Sequence, residues 1–261
     1  MITYLKLGGS VITEKSRVQV ARVETIKRIA AEIASAREQD PELQVVLGHG
    51  SGSFGHAVAA EYGTHLGASS KEDWRGFAAV WTAARELNSI VLEALVSEGL
   101  PAVSFPPSAS GLSSAGELIS LAIDPIQHAL HAGLLPVVYG DVIFDTQQGS
   151  SIASTEEVFT KLADVIPPDR MLLAGRAEGV YDTTGENPVL LEEITSSIQP
   201  RLQFDAPEGQ DVTGGMSAKV DLCLNLAARF PTMEILIFSA ETPGQITRVL
   251  LGQRAGTRIG G

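Results

Sequence analysis

Residues 43–56 read LQVVLGHGSGSFGH, in which an apolar run leads directly into a glycine-rich turn with a histidine at each end. The apolar run predicts a buried strand, and HAVAAEYG, which starts at His56, predicts a helix behind the turn. Glycines between a strand and a helix let backbone N–H groups face an anion, and the dipole of the helix adds to the attraction. The stretch therefore predicts an α/β fold with a phosphate-binding turn.

The spacing of these glycines excludes two familiar phosphate loops. The Walker pattern needs a lysine and a serine or threonine after the last glycine, and neither is present here. The dinucleotide fingerprint has a different glycine spacing and an acidic residue about 20 residues further on, at the end of a second strand. The turn therefore belongs to another class of phosphate site.

Strand and helix patterns alternate on both sides of this stretch along the whole chain. Besides LQVVL, the predicted strands are ITYLKL, LPAVSF, LLPVVY, RMLLAG and EILIF, and the predicted helices cover residues 22–38, 72–98, 124–133, 154–165 and 215–229. Such alternation is typical of a mostly parallel sheet covered by helices. We therefore expect one continuous α/β domain over residues 1–261.

Composition narrows the class of partner. The formal net charge of −12 argues against nucleic acid or an anionic membrane surface as the main partner. No apolar run approaches the ~20 residues of a membrane span, and we expect a cytoplasmic protein. The single cysteine, Cys223, excludes an internal disulfide, and its helical surroundings predict a buried thiol.

Four charged residues elsewhere strengthen the phosphate prediction. Lys6 lies inside an apolar strand, where a cation is costly unless it is paired or meets a ligand. Lys15 follows in the next loop, and Lys219 comes just after a second glycine turn, in the first turn or so of a helix, where an anion would favour it. Asp141 follows a strand, at the edge where open α/β sheets bind their ligands. Together these residues are typical of a phosphoryl-transfer site.

These segments carry a family resemblance over nearly the full chain. In order, KLGGSVIT, GHGSGSFGH, PVVYGDV, GVYD and DVTGGMSAK resemble the amino acid kinase superfamily, and GSFGH is similar to the isopentenyl phosphate kinases and the related fosfomycin kinases. The resemblance implies an αβα sandwich, commonly a homodimer. It also implies ATP-dependent phosphorylation of isopentenyl phosphate to isopentenyl diphosphate, in the alternative mevalonate pathway of isoprenoid biosynthesis, with Mg²⁺ bridging the nucleotide phosphates.

The resemblance further implies a role for each site residue. Lys6 and Lys15 would contact the transferred phosphoryl group, Asp141 would orient the lysines, and His56 would hold the acceptor phosphate. The acceptor would bind to the N-terminal part of the chain, with Gly50, Ser51, Gly52 and Gly55 beside His56. ATP would bind to the part of the chain from about residue 160, with contributions from the glycine turn at Gly8 and Gly9. The nucleotide-binding set is Lys6, Gly8, Gly9, Ser10, Gly175, Gly179, Tyr181, Asp182, Gly214, Gly215 and Lys219, and no protein ligand to a metal is predicted.

One segment departs from the superfamily pattern. Many members carry Thr-Asp or a similar polar pair in the loop before GVYD, close to the nucleotide. Here the sequence is LLAGRAEGVYD, with Ala174, Gly175 and Arg176 at that place. The contacts to the nucleotide are therefore expected to differ in detail.

The two histidines of the turn receive different predictions. A phosphate monoester is already largely a dianion at pH 7, so it needs no general base, and its difficulty is the approach of one anion to another. A histidine that donates a hydrogen bond offsets this repulsion, which favours His56 as a donor rather than a base. His49 directly follows the buried strand, and we expect it to shape the turn by bonding backbone.

A phosphorylated C5 alkene also needs an apolar cavity beside its phosphate. Phe77, Val80, Trp81 and Ala84 of the long helix are predicted to line it, with Ile152 and Ile143 as weaker candidates. The competing interpretations are a fosfomycin or other phosphonate kinase, then an acylphosphate-forming kinase, then a non-catalytic nucleotide-binding sensor. A carboxylate acceptor gives no reason for His56, and a sensor has no need of the transfer residues.

Overall fold

In the computed structural model, which describes residues 1–14, 16–184, 187–197 and 215–260, strands and helices alternate along the chain as predicted. The strands are β1 (Ile2–Leu7), β2 (Gln44–His49), β3 (Ala102–Ser104), β4 (Gly111–Ser114), β5 (Glu117–Leu121), β6 (Leu135–Tyr139), β7 (Asp141–Asp145), β8 (Gly149–Ala153), β9 (Arg170–Gly175), β10 (Tyr181–Asp182), β11 (Val189–Leu190), β12 (Glu193–Ile194), β13 (Glu234–Ser239) and β14 (Thr257–Ile259). The helices are α1 (Gly9–Ile12), α2 (Val23–Gln39), α3 (Gly52–Tyr62), α4 (Lys71–Ser97), α5 (Pro107–Ser110), α6 (Asp124–His131), α7 (Thr155–Ala163), α8 (Gly215–Arg229) and α9 (Gln245–Leu250).

The central sheet is mostly parallel, which confirms the predicted fold class. Its strand order is β12-β14-β13-β9-β1-β2-β6-β3. The six strands from β13 to β3 run parallel to one another, and β14 runs antiparallel to β13. A smaller sheet, β5-β4-β7-β8, and the β10–β11 pair lie outside it. Because the carboxyl ends of parallel strands share one edge, the turns after β1, β2 and β9 meet at that edge.

Alternate side chains of the strands pack against helices on opposite faces of the sheet, which gives three αβα layers. Leu5 and Leu7 of β1 belong to the core that includes residues of α2, α3, α4 and α9, whereas Tyr4 belongs to the core with residues of α6, α7 and α8. By the two-residue period of a strand, Lys6 shares the face of Tyr4. Lys6 therefore points toward the layer of α7 and α8.

The helix predicted over residues 154–165 begins where the sequence indicates. The serine and glutamate of STEE form a capping box, in which Ser154 accepts from the Glu157 N–H and the Glu157 carboxylate accepts from the Ser154 N–H, and α7 begins directly after it. Cys223 is fully buried in α8, as predicted, and burial raises the pKa of its thiol to about 12.

The predicted start of α3 is wrong. The helix begins at Gly52, four residues before His56, because the Ser51 carbonyl already accepts from the Phe54 and Gly55 N–H groups. Within the described ranges, the helices are all too short or too polar to cross a membrane.

Candidate active site

The turns after β1 and β2 touch each other through their glycines. A Cβ on Gly9 would lie 2.6 Å from the Cα of Gly52, and a Cβ on Gly50 would lie 2.9 Å from the Gly9 nitrogen. Gly52 also has φ +49°, a conformation that other residues rarely adopt. From the sequence alone, the close approach of an anion explains these glycines. The contact between the two turns requires glycines as well. The two turns form one backbone surface, which we call the glycine floor (residues 8–9 and 50–52).

A cavity of about 470 Å³ lies over this floor, and we call it the first cavity. Its polar side chains include Lys6, Ser10, His56, Glu156 and Lys219. Its other lining residues are Gly8, Gly9, Thr13, Ser16, Arg17, Val18, Gly50, Ser51, Gly52, Ser53, Ala57, Gly140, Ile152, Ala153, Ser154 and Thr155. The volume is typical of a site for a small molecule.

A second cavity of about 560 Å³ adjoins the first. It is lined by Lys6, Gly8, Ser10, Leu173, Ala174, Gly175, Arg176, Ala177, Met216, Lys219, Ile237 and Glu241. Four residues line both cavities, namely Lys6, Gly8, Ser10 and Lys219. Two cationic side chains therefore stand where the two cavities meet.

A carboxylate beside the cavity pairs with one of these cations. Lys6 is only 8% exposed and forms an ion pair with Glu156, which lies in the first turn of α7. Burial alone would raise the pKa of Glu156, but the charges of Lys6 and Lys219 and the hydrogen bond from Lys6 together lower it. Glu156 is therefore ionised at neutral pH, and its charge offsets part of the cost of burying Lys6. Sequence reasoning missed Glu156, although it predicted a helix that begins at residue 154.

Asp141, which was predicted to orient the lysines, makes other contacts. It is 2% exposed, and its carboxylate accepts from the backbone N–H groups of Ser108 (3.3 Å) and Val142 (2.9 Å). Burial raises its pKa to about 6, against the effect of these hydrogen bonds. Since Glu156 is the carboxylate paired with Lys6, the geometry does not support the orienting role for Asp141. Asp141 is the first residue of β7, and its neighbour Gly140 reaches the first cavity instead.

The two histidines of the glycine-rich segment lie in different surroundings. His49 is fully buried, stacks on Tyr139 with ring centroids 5.3 Å apart, and contacts the Gly50 carbonyl and the Asn88 side chain, each at 3.2 Å. Burial lowers the pKa of His49, against the opposing effect of its contacts with Gly50 and Asn88. The prediction that His49 shapes the turn through a backbone bond is confirmed. His56 is half-buried in the second turn of α3 and lines the first cavity.

The remaining predicted residues divide into three groups. Gly8, Gly9, Ser10, Gly50, Ser51, Gly52 and Ile152 line the first cavity, and Gly175 lines the second. Among the described lining residues of either cavity we do not find Gly55, Ile143, Gly179, Tyr181, Asp182 or Gly215. Gly55 packs against Ser51, and Gly179 packs closely against Thr257. Lys15 and Gly214 lie outside the described residues.

The four residues of α4 that were expected to hold an apolar chain are not among the described lining residues of the first cavity, whereas Ile152 is. Val80 and Ala84 are buried in the interior, and Phe77 stacks on Phe144 with ring centroids 4.6 Å apart. Trp81 is 38% exposed, with Arg85 over its ring. The geometry therefore does not support these four predictions. The periodic apolar positions of α4 serve packing, and the apolar wall of the first cavity comes instead from Val18, Ala57 and Ile152.

The chain is similar to known proteins in both sequence and fold. The family model described as "Amino acid kinase family" matches residues 1–239. The chain is 37% identical over 267 residues to the isopentenyl phosphate kinase of Methanothermobacter thermautotrophicus, with 98% of each chain covered. It is 30% identical to that of Methanocaldococcus jannaschii, with 99% of this chain and 98% of the relative covered. A solved structure titled "X-ray structures of isopentenyl phosphate kinase" superposes with a TM-score of 0.84 at 35% identity, covering 99% of this chain and all of the other.

Proposed function

The chain belongs to the amino acid kinase family and is a kinase, and from this premise we propose that it phosphorylates isopentenyl phosphate. In the proposed reaction a phosphate oxygen of the acceptor attacks the γ-phosphorus of ATP. The bond from that phosphorus to the β,γ-bridging oxygen breaks, and the products are isopentenyl diphosphate and ADP. We place the acceptor in the first cavity and ATP in the second, and the product would enter isoprenoid biosynthesis by the alternative mevalonate pathway.

The observation that carries the proposal is the shared wall of the two cavities. Lys6 and Lys219 line both, so a phosphoryl group passing from one cavity to the other would stay beside two cations. Phosphoryl transfer spreads charge over the equatorial oxygens of the moving group, and fixed cations there stabilise the transition state. The ion pair with Glu156 fixes the position of Lys6 before substrate arrives.

His56 fits the need of a phosphate acceptor. At pH 7 a phosphate monoester is largely dianionic, so it attacks without a general base. It must nevertheless approach the triphosphate, another anion. His56 lines the acceptor cavity away from the second cavity, and we propose that it donates a hydrogen bond to the acceptor phosphate.

The apolar part of the first cavity favours a small hydrocarbon on the acceptor. Val18, Ala57 and Ile152 supply this part, and Val18 is 66% exposed without a ligand. Covering Val18 with a C5 chain would remove apolar surface from water, which is favourable. A phosphonate antibiotic is smaller and more polar and would gain less from this contact.

We further propose that Mg²⁺ accompanies ATP, bound mainly by the nucleotide phosphates. The carboxylates that line the cavities among the described residues are Glu156 and Glu241, and each is already paired with a basic side chain. No described group of three or more His, Cys, Asp or Glu side chains could hold the ion. Bound to ATP, Mg²⁺ would neutralise charge on the phosphates.

We also propose how the chain is divided between its two substrates, how it assembles and where it is located. The division of the chain into an N-terminal acceptor part and an ATP part from about residue 160 is favoured by the second cavity, because nine of its described lining residues come after residue 160. Lys6, Gly8 and Ser10 line that cavity too, so the division is not complete. A homodimer in the cytoplasm remains our expectation for the assembled enzyme.

The test is ADP release by the purified protein with ATP and Mg²⁺, comparing isopentenyl phosphate, fosfomycin and no acceptor. We expect turnover with isopentenyl phosphate, confirmed by detection of the diphosphate product. Lys6→Ala, prepared in the same way, is the control for a contaminating kinase and should lose turnover. Turnover with fosfomycin alone would overturn the acceptor while leaving the kinase. ATP binding without turnover on either acceptor would favour another acceptor or a sensor.

A further inference from the structure

We propose that Arg176 binds a phosphate of the nucleotide in the second cavity, a proposal that rests on the placement of ATP there. Arg176 follows β9 directly, in the loop before GVYD. It lines the second cavity together with Lys6 and Lys219. A guanidinium is well suited to a phosphate because its planar set of donors matches two phosphate oxygens.

The backbone of Arg176 is fixed, whereas its side chain is held at one point. Ser239 donates from its hydroxyl to the Arg176 carbonyl (3.0 Å) and accepts from the Glu241 N–H (3.1 Å), which joins the ends of β9 and β13. The Arg176 side chain is 57% exposed, and its Nε lies 3.4 Å from Glu241 Oε1. Among the described residues this is the contact of the guanidinium, and it leaves the two terminal nitrogens, Nη1 and Nη2, for a ligand.

Arg22 is the stronger partner of Glu241. Its terminal nitrogens donate to both carboxylate oxygens, at 2.6 and 3.0 Å. The hydrogen bond to Arg22, opposed in part by burial, lowers the pKa of Glu241. With the Glu241 charge already matched by Arg22, Arg176 gives this wall of the cavity a net positive charge. A wall of that sign fits phosphate and not an uncharged nucleoside.

Arg22 also links this wall to the glycine floor. The same terminal nitrogen that contacts Glu241 lies 3.0 Å from the carbonyl of Val11 in α1. Since α1 begins at Gly9, the position of Glu241 is tied to the turn that lines both cavities. Glu241 thereby positions Arg176 relative to Lys6 and Lys219, at the place where the triphosphate is proposed to lie.

The experiment compares ATP affinity in wild type, Arg176→Ala, Arg176→Gln and Arg176→Lys by calorimetry, with kcat and KM for both substrates. Arg75→Ala is the matched control, because Arg75 is an exposed arginine in an ion pair on α4 and its loss changes net charge equally. Thermal melting checks that each variant is folded. We expect Arg176→Ala and Arg176→Gln to raise the Kd and KM for ATP about tenfold, the loss of one exposed charge-assisted contact. Arg176→Lys should recover part of the lost ATP affinity. In all variants kcat and the KM for the acceptor should be unchanged.

Three results would overturn the inference: unchanged ATP affinity in Arg176→Ala, wild-type affinity in Arg176→Gln, or equal losses in Arg176→Lys and Arg176→Ala. The second would assign a hydrogen bond to the nucleoside, because glutamine keeps donors without charge. Wild-type protein that fails to bind ATP would instead count against the proposed function. The two failures are therefore distinguishable.

Discussion

His49 and His56 belong to the same glycine-rich segment, but the fold gives them opposite surroundings. His49 ends β2, is fully buried, and has both ring nitrogens in contact with protein atoms. His56 lies beyond the glycine floor on α3 and faces the first cavity. The strand carries its last side chain into the interior, whereas the helix turns its side chain toward the space above the turn. The residue type is the same, and the element that carries it decides the role.

The carboxylates of Glu156 and Asp141 repeat this contrast. Glu156 lines the first cavity and is paired with Lys6, whereas Asp141 is buried against the backbone of Ser108 and Val142. Charged surroundings lower the pKa of Glu156, and burial raises that of Asp141 to about 6. Glu156 at the cavity therefore has a charged partner, whereas Asp141 in the interior has backbone partners.

The largest effect is expected from His56→Ala on activity. Loss of one donor to the acceptor phosphate should lower kcat/KM for isopentenyl phosphate by about 10²- to 10³-fold. The free energy of unfolding should change by less than about 1 kcal/mol, since the side chain is half-buried. Steady-state kinetics and urea denaturation measure the two effects.

His56→Gln is the companion variant, because its amide still donates, and it should retain more activity than His56→Ala. Wild-type turnover in His56→Ala would remove the role of His56. A large loss of stability with little loss of activity would show that His56, like His49, has a structural role. The proposed difference between the two histidines would then be wrong.

The next effect is a loss of stability in His49→Ala. The substitution removes a fully buried ring and leaves the Asn88 side chain without one of its partners. We expect the free energy of unfolding to fall by about 3 kcal/mol, measured by urea denaturation. His65→Ala, at an exposed histidine, is the control and should be near neutral. If His49→Ala keeps wild-type stability and loses activity, His49 acts in the site.

The smallest effect is the pH dependence of stability that Asp141 produces. Its folded pKa of about 6 lies above the unfolded value, so the folded state binds the extra proton between these values. Stability should therefore fall as pH rises from about 4 to about 6 and level off above that, by on the order of 2 kcal/mol. Urea denaturation of wild type and Asp141→Asn across this range isolates the contribution as a difference. If the difference in stability between wild type and Asp141→Asn does not vary with pH, the raised pKa of the buried Asp141 carboxyl is contradicted.

Much of the fold and part of the site could be predicted from local pattern. The strand period and the glycine turns located β1, β2, α3 and α7, and the cost of a lysine in an apolar strand identified Lys6. The geometry does not support the predictions for α4, because a stripe that packs a core and a stripe that lines a cavity have the same spacing. It does not support the prediction for Asp141 for a related reason, since a strand end was expected to meet the ligand and it is the neighbouring Gly140 that lines the cavity.

Three features could be read from local sequence, because backbone freedom and the cost of buried charge are local properties: the α/β alternation, the glycine turns and the cations that indicate phosphate chemistry. The tertiary fold sets which carboxylate pairs with Lys6, since Glu156 lies 150 residues away along the chain. It also decided that Lys6 and Lys219 line both cavities. Such pairings depend on strand order and on which face of the sheet each helix covers, and these are set by the packing of the whole domain.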